Sequence, residues 1–329
     1  MTPEGRRVVV VTGATSGVGR ATAREFARRG DAVALLARGP DGLEGARRDV
    51  EAAGGAALAV PCDVADADAV ESAAARVERE LGEIDVWVNN AMTTVFAPVH
   101  ETLPEEVRRA TEVTYLGTVH GTMAALRRMR ARDRGVIVQV GSALAFRGIP
   151  LQAAYCGAKS AMVGFTESLR AELFHEGSGV HVTLVHLPAL NTPQFDHSRT
   201  RMPRQPQPVP PIYQPEVAAR AVVWAAEHRR RHLMVAPATL KTIWGSRFAP
   251  LVADRYLGRT GFSSQQAETP VAPRGGNLFD VLPGDPGAHG RFGDRSRGRS
   301  LGFALSRHRR LVALGLAAAG AAVVGLSRR

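Results

Sequence analysis

Short apolar runs alternate with amphipathic stretches along most of the chain. The runs, rich in Val, Ile, Leu and Ala, fall at residues 7–12, 32–37, 57–62, 84–88, 136–140 and 180–187. They are largely β-branched and do not alternate with polar residues, which is the pattern of strands covered on both faces. Between them, residues 18–29, 42–53, 66–81, 104–131 and 153–175 space their apolar positions as helices do, and a helix over 215–229 leads into a seventh strand at 232–237. This β-then-α repetition predicts parallel strands joined by right-handed crossovers. The expected fold is therefore α/β, a doubly wound Rossmann-type parallel sheet of about seven strands with helices on both faces.

Two regions break the pattern. Between Pro188 and Pro215 stand Pro193, Pro203, Pro206, Pro208, Pro210 and Pro211, too many for a helix, so this stretch is expected to be a loop over the site. From Gly261 to Ser300, Pro, Gly, Arg and polar residues dominate, which predicts a loose segment. The expected organisation is one domain over residues 1–260, a flexible tail over 261–306, and a short hydrophobic helix with basic flanks over 307–329. Leu311–Leu326 holds sixteen residues without a charge, between Arg307 to Arg310 and Arg328–Arg329. At ~1.5 Å per residue such a helix spans roughly 24 Å against a hydrocarbon core of ~30 Å. It is short for a crossing and predicts peripheral membrane contact through the C-terminus; packing on a partner subunit is the alternative.

Composition narrows the function classes. A chain that is 45% hydrophobic and 22% charged is globular. The net charge of +11 suggests nucleic acid at first, but residues 261–329 carry ten Arg against four acidic residues, +6 of that total. In the remainder, Arg is mixed with Glu and Asp on helix faces, and there is no base-reading motif, so nucleic-acid binding is not expected. Two cysteines, Cys62 and Cys156, make no disulfide framework, and the apolar run after Arg6–Arg7 is too short for an export signal; a cytoplasmic location follows. The ten His are scattered without ligand spacing, so no metal is expected.

Chemistry begins where the first strand ends, at Thr12-Gly13-Ala14-Thr15-Ser16-Gly17-Val18-Gly19. Glycines let the backbone turn sharply and bring a pyrophosphate against the free N–H groups of a helix N-terminus. Asp63-Val64 follows the third strand and Asn89-Asn90-Ala91 the fourth; Ser142 ends the fifth, Tyr155-Cys156-Gly157-Ala158-Lys159 begins the next helix, and Pro188 precedes Thr192. In order and spacing these resemble the motifs of the short-chain dehydrogenase/reductase family over residues 6 to about 240. The resemblance implies that Gly13, Thr15, Ser16, Gly17, Val18 and Gly19 cradle the phosphates of a nicotinamide dinucleotide. It implies that Asp63 and Val64 contact adenine, Asn90 and Ala91 the nicotinamide side, and Pro188 and Thr192 the carboxamide. It also implies a homodimer or homotetramer through the helices at 104–131 and 153–175.

The Tyr-Lys pair stands on its own chemistry as well. Four residues apart on a helix, Lys159 and Tyr155 share a face. A free phenol titrates near ~10, and a nearby ammonium favours its ionised form. Only Lys159 and Lys241 are lysine among 42 basic residues; a compact ammonium fits beside a ribose and a phenol where a guanidinium does not. The expected reaction moves a hydride between NADP(H) and a small apolar carbonyl or secondary alcohol, with Tyr155 as general acid/base and Ser142 holding the oxygen. At the end of the second strand Ala37 stands where NAD-binding relatives carry an acid, and Arg38 follows, favouring NADP(H) over NAD(H). Thr114 stands where the family has an Asn that orders water for the lysine, and Met92 where it has Gly. Thr114 is counted with the catalytic residues, and both departures leave open a non-catalytic NADP(H)-binding scaffold at a membrane. Val95, Phe96, Phe146, Ile149, Gln152 and Phe195 are the expected substrate walls.

Overall fold

The computed structural model describes residues 5–308. The expected Leu311–Leu326 helix lies outside the described residues. Seven parallel strands form the central sheet: β1 Val8–Thr12, β2 Ala32–Ala37, β3 Ala56–Pro61, β4 Ile84–Asn89, β5 Gly135–Ser142, β6 Val180–Leu187 and β7 His232–Met234. Their order across the sheet is β7-β6-β5-β4-β1-β2-β3. The chain leaves β1 for one edge and later returns to β4 beside β1, opening a crevice at the carboxyl ends of these strands.

The apolar runs became strands because both faces are covered. Val8, Val9, Val10 and Val11 are all fully buried, with Val9 and Val11 in one core layer and Val8 and Val10 in the other. Burying each such side chain contributes about 1.5–3 kcal/mol. One layer is covered by α1 Gly17–Ala27, α2 Pro40–Ala52 and the helix Pro215–Glu227; the other by α3 Ala67–Leu81, α5 Gly117–Ala131 and α6 Ala153–His175.

Two expectations change. The stretch 104–131 is not one α-helix: α4 Pro104–Thr111 and α5 are separated by a π-helical turn at Glu112–Leu116, with Thr114 at its centre. The segment 261–306, expected to be loose, packs on the Rossmann body. Gln266–Pro270 pairs with Arg204–Pro206, Ser296–Arg297 pairs with Ile212–Tyr213, and Leu278, Phe292 and Phe303 are buried in three different core clusters. Its few large apolar side chains serve as anchors, and polar residues between them make ion pairs and backbone bonds to the domain. Among the described residues no helix is long and apolar enough to cross a membrane.

Candidate active site

A cleft of about 700 Å³ opens along the carboxyl ends of the strands. At its base is the β1–α1 turn. Gly17 adopts φ +54°, a left-handed conformation that suits glycine, and Thr192 lies 3.0 Å from where its Cβ would stand. A Cβ on Gly19 would lie 2.1 Å from the Gly13 carbonyl oxygen and 2.5 Å from Asn90 Nδ2. Gly19 therefore serves close packing beneath the turn, while Gly13, Thr15, Ser16, Gly17 and Val18 line the cleft. Ser16 is the N-cap of α1, and its side chain bonds none of the free N–H groups; the Gly17 N–H donates to Gly287 O at 3.1 Å, which leaves the later N–H groups of the first turn for an anion.

Asn90 holds the turn in place. Its Nδ2 donates to the carbonyls of Thr12 (2.9 Å) and Gly13 (3.2 Å), and its N–H donates to Thr12 Oγ1 at 2.9 Å. Ala91 donates to the same hydroxyl at 3.0 Å. These bonds tie the end of β4 to that of β1, fixing two walls of the cleft together.

At the end of β2, Arg38 lines the cleft beside Ala37. Its Nη2 donates to Asn277 O (2.6 Å) and its Nη1 to Phe279 O (2.8 Å). Asp63 and Val64 line the same end. Burial would raise the Asp63 carboxyl, but an ion pair with Arg109 and the Ala65 N–H (3.0 Å) outweigh it and hold the group below the ordinary carboxylate range.

Ser142, Tyr155 and Lys159 converge on the opposite part of the cleft. β5 ends at Ser142, whose Oγ accepts the Leu144 N–H at 3.1 Å and lies beside the Tyr155 phenol. Burial pushes the Tyr155 phenol up to about 12, against the opposing effect of Ser142. One turn along α6, Lys159 is 2% exposed; its Nζ lies 5.8 Å from the Tyr155 ring centroid and donates to Val140 O at 2.7 Å. Burial brings its ammonium down to about 7. Pro188 and Thr192 also line the cleft, Thr192 against Gly17 of the β1–α1 turn.

Thr114 is not in the cleft wall. It is fully buried, its hydroxyl accepting the Thr93 N–H and donating to Thr93 O, both at 3.1 Å. Thr93 itself lines the cleft, as does Met92. Of the expected substrate walls, Ile149, Gln152 and Phe195 face the cleft. Val95 and Phe96 are buried in core clusters, and Phe146 packs edge-on against His186 at 4.8 Å between centroids. Sequence reasoning missed Val209, Tyr256, Leu257 and Gln265, which line the cleft from segments read as loop, boundary and tail. Gln265 accepts the Gln152 amide at 2.7 Å. No local pattern marks these residues, because they reach the site through long-range packing.

The sequence comparisons agree with this geometry. Residues 7–203 match the family model for short chain dehydrogenases. A protein of Bacillus subtilis (strain 168), named "Uncharacterized oxidoreductase YxnA", is 35% identical over 271 residues, 82% of this chain and 76% of that protein. The cis-4-hydroxycyclohexanecarboxylate dehydrogenase of Sinomonas cyclohexanicum is 37% identical over 228 residues, 67% of this chain and 89% of its own. Among solved structures, an alcohol dehydrogenase of the archaeon Thermococcus sibiricus complexed with 5-hydroxy-NADP aligns at TM-score 0.61 with 27% identity, covering 70% of this chain and 95% of that one. A short-chain dehydrogenase/reductase of Burkholderia phymatum in complex with NAD shares the fold at TM-score 0.68 with 22% identity, covering 79% of this chain and 98% of that one.

The chain belongs to the short-chain dehydrogenase/reductase family. It is accordingly a nicotinamide-dependent oxidoreductase acting between CH–OH and C=O.

Proposed function

We propose that the protein interconverts an apolar carbonyl compound and its secondary alcohol with NADP(H), Tyr155 passing the proton. The observation that carries this reading is the convergence of Tyr155 with Ser142 and Lys159 on one wall of the cleft that the Gly-rich turn also lines. The cradle fits a dinucleotide: no side chain caps the N-terminus of α1, and none projects from Gly13 or Gly17. Thr15, Ser16 and the Val18 N–H would hold phosphates, Asp63 and Val64 the adenine, Asn90 and Ala91 the ribose side, and Pro188 and Thr192 the carboxamide. When bound, the nicotinamide supplies or accepts the hydride.

With its phenol near about 12, Tyr155 keeps its proton at neutral pH and acts as the acid toward a carbonyl oxygen. Ser142 Oγ already accepts the Leu144 N–H, so its own proton is free to turn toward the same oxygen. Lys159 commits one of its three donors to Val140 O, leaving two for the ribose and for the phenolate that forms as Tyr155 gives up its proton. Thr114 positions Thr93 beneath the cleft.

Ala37 and Arg38, in place of an acid at the end of β2, support NADP(H), and the Thermococcus sibiricus neighbour carries an NADP derivative. Ile149, Leu144, Phe195, Val209 and Leu257 support an apolar substrate. Exposed Val107, Leu116, Met123 and Phe174 on the segments 104–131 and 153–175 support association of copies through these helices.

The test is NADPH and NADH oxidation against a panel of apolar ketones, aldehydes and quinones, in wild type and Arg38→Ala. Turnover with NADPH is expected, and Arg38→Ala should cut the preference for NADPH about tenfold or more, the worth of one charged hydrogen bond. An unchanged preference removes Arg38 from cofactor choice; no oxidation of either cofactor across the panel removes the catalytic reading.

A further inference from the structure

Residues 277–287 run as turns and bends, without strand or helix, over the β1–α1 and β2–α2 turns. Arg38 binds the carbonyls of Asn277 and Phe279, and Arg109 Nε donates to Leu278 O at 3.2 Å while the Leu278 side chain is fully buried. Further along, Gly284 N–H donates to Asp41 Oδ2 at 2.9 Å and Gly17 N–H to Gly287 O at 3.1 Å. Arg20 grips the Asp285 carboxylate with two bonds of 2.8 and 3.1 Å.

The helix beneath is shaped for this segment. Gly39, Gly42 and Gly45 repeat every third residue along one side of α2 and its N-cap. A Cβ on Gly39 would stand 3.1 Å from Val281 Cγ1 and one on Gly45 2.0 Å from Asp285 Oδ2, while one on Gly42 would meet Thr15 Cβ at 2.8 Å before Pro286 Cδ at 3.3 Å. The bare groove and the segment that fills it come from opposite ends of the chain.

Asp280 to Pro286 line the cleft at the end where Arg38, Asp63 and Thr15 also line it, and the cleft keeps about 700 Å³ with the segment in place. The segment is therefore part of the wall at that end, and its carbonyls hold two groups there, the Gly17 N–H and the Arg38 guanidinium. We propose that residues 277–287 form the outer wall of the cofactor site, a strap across the adenosine end of a bound nicotinamide dinucleotide that holds it until the Asp285 latch opens. This rests on the NADP(H) reading above.

Asp285→Asn weakens the latch without stranding a buried charge, because Arg20 keeps its 2.8 Å pair with Asp49. Gly45→Ala presses a methyl group against both the Asp285 carboxylate and Arg20 Nη2. The experiment preloads full-length protein with NADPH and follows its fluorescence as excess NADP⁺ displaces it in a stopped-flow mixer, with wild type binding of NADPH and NADH titrated beforehand. Release about tenfold faster in both variants is expected, equivalent to about 1.4 kcal/mol lost from the closed strap. Release within about twofold of wild type in both overturns the strap while leaving the cofactor reading intact; slower release overturns it too, since the segment would then be competing with the cofactor. If wild type binds neither dinucleotide, the cofactor reading falls and the strap falls with it.

Discussion

Glu106 is fully buried where α4 begins, and it accepts from three donors: the Leu103 N–H at 2.8 Å, the Arg201 guanidinium at 2.7 Å to each oxygen, and Arg199 Nε. Replacing it with Ala leaves two guanidinium groups that have lost the carboxylate between them, with Glu101 and Glu105 acting on Arg201 only through space. Removing one member of a buried ionic cluster costs about 3–5 kcal/mol. The Arg199 and Arg201 side chains keep 25% and 21% of their surface, so water recovers part of the loss and the lower figure, about 3 kcal/mol, applies. At roughly 2 °C per kcal/mol for a chain of this length, Tm falls by about 6 °C. The sign with pH follows from the depressed carboxyl. Burial alone would raise it, but Arg201, the Leu103 N–H and Arg199 hold it below the ordinary value of 4.5. Its stabilisation is complete above 4.5 and is lost as pH falls through the lower folded value, so wild type and variant converge in acid. Urea unfolding should show the midpoint lowered at unchanged slope. A variant within about 0.5 kcal/mol of wild type at neutral pH would refute the reasoning.

Gly19→Ala places a methyl group against the Gly13 carbonyl and Asn90 Nδ2, both fixed by the β1–β4 junction. NADPH binding should weaken at least about tenfold by fluorescence titration, and binding at wild-type affinity would mean that the turn yields easily. Lys159→Met removes an ammonium whose charge burial disfavours, so the variant should lose turnover yet melt higher at pH 7. The lysine's folded value of about 7 lies below 10.5, so its charging penalises the folded state at low pH and the penalty fades as pH rises toward 10.5. The advantage in Tm should shrink over that range; an advantage that grows with pH would contradict the burial argument.

The central sheet was readable because its strands are covered on both faces, and unbroken Val, Ile and Leu runs leave few other options. The Tyr155–Lys159 pair was readable because both groups sit one turn apart on a single helix. Three features were not. The π-turn at Glu112–Leu116 interrupts a stretch whose apolar spacing stays helical; Thr114 bonds the backbone of Thr93, twenty-one positions away, and that contact leaves no mark on neighbouring residues. Phe96 and Phe146 carry the same apolar side chain wherever they sit, and only the tertiary structure puts Phe96 in a core and Phe146, half-buried, against His186. The stretch after Gly261 is polar and Gly/Pro-rich, which suits disorder, yet it is held by partners such as Arg38 and Arg20 more than two hundred residues earlier. The Gly39, Gly42 and Gly45 spacing was the one sequence signal of a segment lying on α2.

The most direct test of the account compares wild type with Tyr155→Phe, which keeps the ring and removes the proton. NADPH affinity by fluorescence titration and steady-state turnover with the best carbonyl of the panel are measured on the same preparations. The account predicts unchanged affinity and a loss in turnover of about 10²–10⁴-fold, the usual contribution of a positioned general acid. Turnover within about fivefold of wild type would show that the proton comes from elsewhere and contradict the role given to Tyr155.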